Sequence, residues 1–167
     1  MENMIYFISI GSNEEPRLWF LKKAVELISE ICYIEKISPV YESEAWGFAG
    51  YPFLNICAKV RTDLPPKSLF MFFKRIEALL GREQTFLSPG FSDRPIDIDI
   101  IFWEGGFYED ERITIPHPLA HKRKFVLIPI IEMDEDIIHP ILSKRLSEIL
   151  QEIDDNSWII RLMEKIF

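Results

Sequence analysis

The sequence predicts an α+β fold in which helices pack on an antiparallel sheet. Three observations support this prediction: short apolar runs rich in β-branched residues, two longer segments with apolar residues at helical spacing, and glycine or proline at most junctions. The chain has 167 residues, enough for one domain with a buried core. We therefore expect a single domain over residues 1–167.

The first three elements are a strand, a helix and a strand. Residues 5–10 form a compact apolar run that stops at a Gly-Ser-Asn turn. Pro16 suits the first turn of a helix. The apolar residues that follow at helical spacing form one stripe: Leu18, Leu21, Val25, Ile28 and Cys32. A second strand is expected over residues 34–41.

The next three elements are again a strand, a helix and a strand. Residues 53–60 form an apolar strand after the irregular segment ESEAWGFAGYP. Pro65 and Pro66 open a second helix, and Gly81 ends it with a left-handed cap. Its buried stripe is Leu69, Phe72, Phe73, Ile76 and Leu80. The sixth element is the strand RPIDIDIIFW, residues 94–103.

The resulting order, β-α-β-β-α-β, is that of the ferredoxin-like arrangement. Additions follow at the C-terminal end of the chain. They comprise a hairpin-like segment EGGFYEDERITI, a proline-punctuated segment HPLAHKRKFVLIPI, a helix near residues 143–153 and a short strand at 158–162.

The net charge of the chain indicates which kinds of partner it is not expected to bind through a broad surface. A net charge of -8 argues against binding nucleic acid or an anionic membrane through a broad basic surface, although a local basic pocket remains compatible with it. Cys32 and Cys57 each lie in an apolar run and are expected to be reduced core residues. The first residues do not resemble a signal peptide, so we expect a cytoplasmic protein. Nothing in the sequence requires more than a monomer.

Two aspartates lie inside the last of the six strands. Side chains alternate along a strand, so Asp97 and Asp99 share a face, about 6.5–7 Å apart, while the neighbouring isoleucines face the other way. Mg²⁺ prefers such oxygen ligands and takes its remaining ligands from water and phosphates. D-x-D alone is equally compatible with two solvated carboxylates. The apolar flanks and the cations nearby in sequence favour a metal–polyphosphate site; these cations are Arg82, Arg94, Arg112 and residues 122–124.

Four segments, in order, resemble the 6-hydroxymethyl-7,8-dihydropterin pyrophosphokinase family of folate biosynthesis. They are IGSN at 10–13, YESEAWGFAGYPFLN at 41–55, RIEALLGR at 75–82 followed by DRPIDIDI at 93–100, and ERITIPHPLAHKRKFVLIPIIEM at 111–133. The likeness runs from the first strand to about residue 140. It implies an enzyme that transfers the β,γ-pyrophosphoryl group of ATP to the hydroxymethyl group of the reduced pterin and releases AMP.

The resemblance also implies the roles of individual residues. Asp97 and Asp99 would bind two Mg²⁺ ions that bridge the ATP phosphates. Nucleotide contacts would come from Glu77, Arg82, Arg94, Ile100, Arg112, Thr114, His117 and Arg123, with Arg82 and Arg94 counted among the catalytic residues. The pterin would lie between Phe53 and Phe125, with Asn55 at its edge and backbone groups near Ser43 and Trp46 completing its recognition.

Plainer interpretations stay open for several of these residues. A phenylalanine in an apolar run is usually core. Asn55 could serve a turn or bulge, Glu77 could be an exposed helix charge, and His117 could cap a turn between its two prolines. Trp46 is compatible with a lid or with packing. The basic run 122–124 could be a solvated face, and both remaining histidines, His121 and His139, are expected at the surface.

The chain departs from the family pattern between the second helix and the aspartate strand. Many members have several arginines there and a Trp-Gly-Pro-Arg sequence, whereas this loop reads REQTFLSPGFSDR. We expect Mg²⁺, Arg94 and Arg123 to neutralise more of the charge on the departing AMP. Pro118 follows His117 where an aromatic residue is usual, which argues against a hydroxyl contact at that position.

Three other functions are each compatible with part of the sequence. An RNA- or ligand-binding module of ferredoxin-like topology is disfavoured by the net charge and by the paired aspartates on the sheet. A family member that keeps the fold without turnover is compatible with the arginine-poor loop. A different Mg²⁺-dependent phosphotransferase would share D-x-D but would lack the segment at 41–55.

Overall fold

The computed structural model describes residues 3–82 and 92–166. Residues 83–91, which include Pro89 and Gly90 of the arginine-poor loop, lie outside the described residues. The elements are β1 (Met4–Ser12), α1 (Arg17–Ile28), β2 (Tyr33–Ile37), β3 (Tyr41–Ser43), β4 (Phe53–Thr62), α2 (Pro66–Leu79), β5 (Asp97–Trp103), β6 (Tyr108–Glu109), β7 (Thr114–Ile115), a 3₁₀ turn (Ala120–Lys122), α3 (Lys124–Met133), α4 (Leu146–Glu152) and β8 (Ile159–Arg161).

The main sheet has the strand order β5-β1-β4-β3-β8, and β2 also pairs with β4. Neighbouring strands in it are antiparallel. β2 and β3 correspond to the single strand predicted over residues 34–41, which is split at Ser38 and Pro39. Proline has no N–H to donate to a ladder. Ser38 maintains the contact with β4, because its backbone N–H donates to the Cys57 carbonyl (2.8 Å) and its Oγ accepts from the Cys57 N–H (2.9 Å). The ferredoxin-like α+β fold is therefore confirmed.

One face of the sheet is filled by α1 and α2. Alternate residues of β1 enter this core together with the apolar stripes of both helices: Tyr6, Ile8, Ile10, Leu21, Val25, Leu69 and Phe73. Ile96, Ile98 and Ile100 belong to the same cluster, so the predicted alternation along the aspartate strand is confirmed. Phe72 and Leu80, predicted as core, are only partly buried. Both cysteines are free and buried, as predicted.

The opposite face is covered in part by α3 and α4. Phe7, Cys57 and Phe102 contact residues of the two helices there: Val126, Leu127, Ile130, Leu146 and Ile149. The rest of this face, which carries Asp97 and Asp99, is left open.

The helix α3 is not predicted by the sequence, because Pro129 lies inside it. A proline in a helix interior removes one hydrogen bond and costs about 3 kcal/mol. Val126, Leu127 and Ile130 are nearly inaccessible to solvent. Each buried side chain of this size contributes about 1.5–3 kcal/mol. Burial therefore outweighs the proline.

Two predictions about single residues have opposite outcomes. Gly81 has φ of 97° just after α2, which confirms the left-handed cap. The prediction that His139 lies at the surface is wrong, since it is only 3% exposed and its ring packs edge-on against Phe102 at 5.5 Å between centroids. Its Nδ1 accepts the backbone N–H groups of Ile141 and Leu142, which turns the ring inward.

Within residues 3–82 and 92–166, every helix is too short or too polar to cross a bilayer.

Candidate active site

A cavity of about 290 Å³ opens on the uncovered part of the sheet, beside α2 and the N-terminal end of α3. It is lined by Ser9, Gly11, Ser43, Glu44, Trp46, Phe48, Phe53, Asn55, Lys74, Arg82, Arg94, Asp97, Asp99, His117, Leu119, Arg123 and Phe125. Eleven of the predicted site residues are thus brought together, although they come from segments far apart in the sequence.

The two aspartates have different electrostatic surroundings. Asp97 Oδ1 lies 3.0 Å from Arg82 Nη1, and its Oδ2 lies 3.7 Å from Arg94 Nε. Burial opposes ionisation of Asp97, but Arg94 and Arg82 outweigh it and lower its pKa below the ordinary value. For Asp99, burial raises the pKa to about 7, and the negative charges of Asp97 and Glu77 add to the effect. The positive charges of Lys74 and Arg123 reduce this effect on Asp99 without cancelling it.

Glu77 lies behind the cavity and joins α2 to β5. It is only 1% exposed, so its interpretation as an exposed helix charge is wrong. Its Oε1 accepts from Arg82 Nη1 (2.9 Å) and Lys74 Nζ (3.0 Å), while its Oε2 accepts the backbone N–H of Ile98 (2.9 Å). This carboxylate holds Arg82 beside Asp97 and fixes the strand between the two aspartates.

Two guanidinium groups of the cavity lie over aromatic rings. Arg94 is centred 5.4 Å from the ring of Phe53 and 6.0 Å from that of Phe48. Arg123 is centred 4.6 Å from Trp46 and 5.5 Å from Phe125. Such cation–π contacts contribute about 0.5–2 kcal/mol each and hold the guanidinium groups beside the aromatic rings. The cavity therefore has positively charged groups and flat apolar rings side by side.

The helix α3 positions Arg123 and Phe125. Arg123 directly precedes it, and Phe125 is in its first turn. The first helical N–H, that of Lys124, is capped by Asp155 Oδ2 at 3.1 Å. Because an uncapped N-terminus leaves backbone donors without partners, Asp155 stabilises the end of the helix that faces the cavity.

Asn55 lies on β4, and its side-chain amide contacts residues of β1 and β3, the strands on either side. Its Nδ2 donates to Ser43 Oγ at 2.7 Å, and its Oδ1 lies over Gly11. A Cβ atom on Gly11 would be 2.9 Å from that oxygen and 3.4 Å from Phe53 Cδ1. The glycine of the IGSN segment therefore leaves room for the asparagine and the aromatic ring.

Asn13, at the end of the same segment, was not among the predicted site residues. It is buried, and its Nδ2 donates to Asp93 Oδ1 (2.6 Å) and to the Tyr51 carbonyl (3.2 Å). Its Oδ1 accepts the backbone N–H of Arg94 (2.7 Å). Asn13 thus fixes the backbone from which the Arg94 side chain extends.

His117 is held at the cavity wall by its backbone and its ring. A β-bulge in β5 leaves the Ile101 carbonyl available, and it accepts the backbone N–H of His117 at 3.0 Å. The ring Nδ1 accepts from the Leu119 N–H at 3.1 Å, so the imidazole does cap a turn. Burial, and then the positive charge of Arg123, lower the pKa of His117 to about 4. The ring is therefore neutral near pH 7.

Four predicted nucleotide residues do not line the cavity. Besides Glu77, the Ile100 side chain is buried in the core of the other face. Arg112 and Thr114 lie in the β6–β7 hairpin, where Arg112 Nη1 is 2.9 Å from Met71 Sδ on α2. Lining residues that the sequence does not indicate are Ser9, Glu44, Phe48, Lys74 and Leu119. Ser9 could have been found by alternation, since it lies two residues before Gly11 on β1.

The fold and this cavity define a ferredoxin-like α+β protein with a charged, aromatic-walled binding cavity on the open part of its sheet. The family model described as 7,8-dihydro-6-hydroxymethylpterin-pyrophosphokinase (HPPK) matches residues 7–135. The chain belongs to this family, and the predicted family and enzyme class are confirmed.

Curated relatives carry the corresponding name. A 2-amino-4-hydroxy-6-hydroxymethyldihydropteridine pyrophosphokinase of Aquifex aeolicus is 38% identical over 147 residues, which cover 87% of this chain and 90% of that protein. The enzyme of the same name from Haemophilus influenzae is 30% identical, with 92% and 95% covered. The Dictyostelium discoideum folic acid synthesis protein FOL1 is 36% identical, but the match covers only 21% of that longer protein.

Solved structures agree on the fold. A Plasmodium falciparum HPPK-DHPS crystal structure superposes with a TM-score of 0.73 at 14% sequence identity, covering 90% of this chain and 45% of that one. At this identity the likeness concerns the fold alone.

Proposed function

We propose that this protein transfers the β,γ-pyrophosphoryl group of ATP to the hydroxymethyl oxygen of 6-hydroxymethyl-7,8-dihydropterin, with Mg²⁺, and releases AMP. Family membership supports the reaction type. The observation that carries the proposal is one cavity that combines a carboxylate pair, three guanidinium groups and two aromatic rings suited to stacking.

Asp97 and Asp99 fit a Mg²⁺ site. Both are hard oxygen donors on one face of a strand. Burial, and then the charge of Asp97, raise the pKa of Asp99, so a bound cation would favour its ionised form. Among the described residues there is no cluster of three or more side chains that could hold a metal ion by themselves. A site with two carboxylates suits an ion that takes its other ligands from water and phosphate. When bound, two such ions would offset phosphate charge and align the reacting oxygens.

The guanidinium groups would hold the phosphate chain. Arg82, Arg94 and Arg123 all line the cavity, and each planar fork can donate two hydrogen bonds to phosphate oxygens. In the transfer, a bond forms between the hydroxymethyl oxygen and the β-phosphorus, and the bond to the α–β bridging oxygen breaks. AMP leaves with that oxygen and the hydroxyl proton is released. Further nucleotide contacts are proposed for Glu77, Ile100, Arg112, Thr114 and His117.

The pterin ring would stack between Phe53 and Phe125. Stacking of a base on an aromatic side chain contributes about 1–3 kcal/mol. The Asn55 amide would face the edge of the ring, held in place by its hydrogen bond to Ser43. Trp46 would close the same part of the cavity.

The test is to incubate the purified protein with ATP, Mg²⁺ and the dihydropterin, and to separate AMP from ADP. Pterin-dependent AMP that disappears with EDTA is the expected result. ADP as product would contradict pyrophosphoryl transfer. Binding of both substrates without any product would instead identify a family member that has lost turnover.

A further inference from the structure

We infer that Lys74 binds a phosphate oxygen of the nucleoside triphosphate in this cavity and supplies a cation that the motifs do not indicate. The inference rests on the proposed function and adds a residue to its phosphate site.

Lys74 lies in α2, one turn before Glu77, and its side chain lines the cavity together with Asp97 and Asp99. Its Nζ is 3.0 Å from Glu77 Oε1, and the side chain is 29% exposed. The same Glu77 oxygen lies 2.9 Å from Arg82 Nη1, which in turn lies 3.0 Å from Asp97 Oδ1. The ammonium group is therefore within electrostatic reach of the place proposed for the metal and the phosphates.

A role limited to neutralising Glu77 does not account for this placement. Arg82 already lies 2.9 Å from the same Oε1 atom, and the Ile98 N–H occupies the other oxygen. An ammonium group has three donors, of which only one is used by Glu77. The flexible stem can direct the others into the cavity.

The sequence between α2 and β5 makes this cation more important. Residues 83–93 read EQTFLSPGFSD and contain neither lysine nor arginine. The cations that line the cavity are Arg82, Arg94, Arg123 and Lys74. Besides Mg²⁺, the positive charge available to a phosphate chain bound here therefore comes from residues in or next to α2, β5 and α3, and Lys74 extends this positive surface along α2.

The experiment compares Lys74→Met with Lys67→Met. Lys67 is an exposed lysine of the same helix, seven residues earlier, so it lies on nearly the same side about 10.5 Å along the axis, and it does not line the cavity. Both variants are compared with the wild type, Lys74→Gln and Lys74→Arg. For each protein we measure the affinity for ATP with Mg²⁺, the affinity for the pterin alone, the KM for ATP and the thermal unfolding.

A charge-assisted hydrogen bond to phosphate predicts that Lys74→Met binds ATP about 10- to 100-fold more weakly. Lys67→Met is expected to stay within about twofold, since its charge is exposed and screened. Pterin affinity should be unchanged in both. Lys74→Arg should recover most of the ATP affinity, because it restores the positive charge.

Lys74→Gln separates phosphate binding from support of Glu77. Glutamine can still donate to Glu77 but carries no charge, so ATP affinity should remain low even where thermal stability is restored. Wild-type ATP affinity in Lys74→Gln or in Lys74→Met would overturn the inference. Absence of AMP formation in the wild type would instead contradict the proposed function, which makes the two failures distinguishable.

Discussion

The Oε2 atom of Glu77 accepts a hydrogen bond from the backbone N–H of Ile98, 2.9 Å away, and thereby connects α2 to the residue between the two aspartates. Since the same carboxylate also holds Arg82, it sets the position of Asp97 relative to its guanidinium partner.

Glu77→Gln is expected to lower the free energy of unfolding by about 1–3 kcal/mol, because the buried network loses its negative charge and one of its two acceptor oxygens. Chemical denaturation measures this change. Glu26→Gln on α1, which removes an exposed carboxylate paired with Lys23, serves as the control and should change stability little. Equal stability of the two variants would contradict a structural role for Glu77.

The two aspartates are expected to respond oppositely to amide substitution in metal-free protein. The folded-state pKa of Asp99, raised by burial and then by Asp97, exceeds the ordinary 3.8, so its ionised form opposes folding most fully above about pH 7. At pH 8 in EDTA, Asp99→Asn should raise the melting temperature. Asp97→Asn should lower it, since the substitution discards the ion pairs with Arg82 and Arg94.

Adding Mg²⁺ and ATP should change this order and make the wild type the most stable of the three proteins. The wild type is expected to gain thermal stability, whereas both variants should gain little because each lacks one of the two carboxylates proposed to bind Mg²⁺. Differential scanning calorimetry with and without the ligands makes the comparison, with exposed Asp63→Asn as the control. A similar gain in Asp99→Asn and wild type would exclude Asp99 from the metal site.

The neutral ring of His117 predicts a specific loss of stability in acid. Its folded-state pKa of about 4, set by burial and by Arg123, lies below the ordinary 6.5. The unfolded chain therefore takes up the proton first as pH falls. Stability is complete above about pH 6.5 and decreases toward pH 4, and we expect a loss of about 1–2 kcal/mol at this partly exposed site.

His117→Asn isolates this effect, because asparagine can accept the Leu119 N–H without titrating. The pKa values of His121 and His139 are also lowered by burial, but they contribute equally to both proteins. Urea denaturation between pH 7.5 and 4.5 should show a steeper decline for the wild type. Parallel curves would show that His117 does not titrate in this way.

Gly11→Ala should weaken pterin binding, because its Cβ would lie 2.9 Å from Asn55 Oδ1 and must displace the amide. We expect a loss of at least about tenfold in affinity, on the order of one misplaced hydrogen-bonding group. Gly106→Ala is the matched control. Gly106 has φ of 89° and open space around it, so the substitution costs stability through backbone strain alone and leaves pterin affinity intact.

Phe125→Leu tests the stacking surface in the first turn of α3. Loss of one ring contact should weaken pterin affinity by about 1–3 kcal/mol, measured by fluorescence titration. Phe107→Leu removes an exposed ring away from the cavity and should have no effect on affinity. Unchanged binding in Phe125→Leu would place the pterin elsewhere.

Much of this architecture could be predicted from local patterns. Alternation along residues 94–103 assigns Asp97 and Asp99 to one face and the isoleucines to the other, because the side-chain period of a strand is fixed by covalent geometry. Glycine at position 81 indicates the end of α2 in the same way.

Features that depend on tertiary packing could not be predicted. The helix α3 forms against the local signal of Pro129, because the buried apolar side chains outweigh it. Lys74 resembles any helix surface lysine until the packing of α2 against β5 places its side chain at the wall of the cavity. The depth of His139 likewise follows from its neighbours in space, which local sequence does not reveal.

Neighbouring residues of the aspartate strand are constrained for different reasons, because alternate side chains face the core and the cavity. Its even-numbered isoleucines are packed among α1 and α2, while its odd-numbered aspartates face the cavity. In a saturation-mutagenesis survey scored for both abundance and growth, tolerance along 96–100 should therefore oscillate with a period of two. Substitutions at the isoleucines would deplete the protein in the cell, whereas those at the aspartates would reduce growth more than abundance.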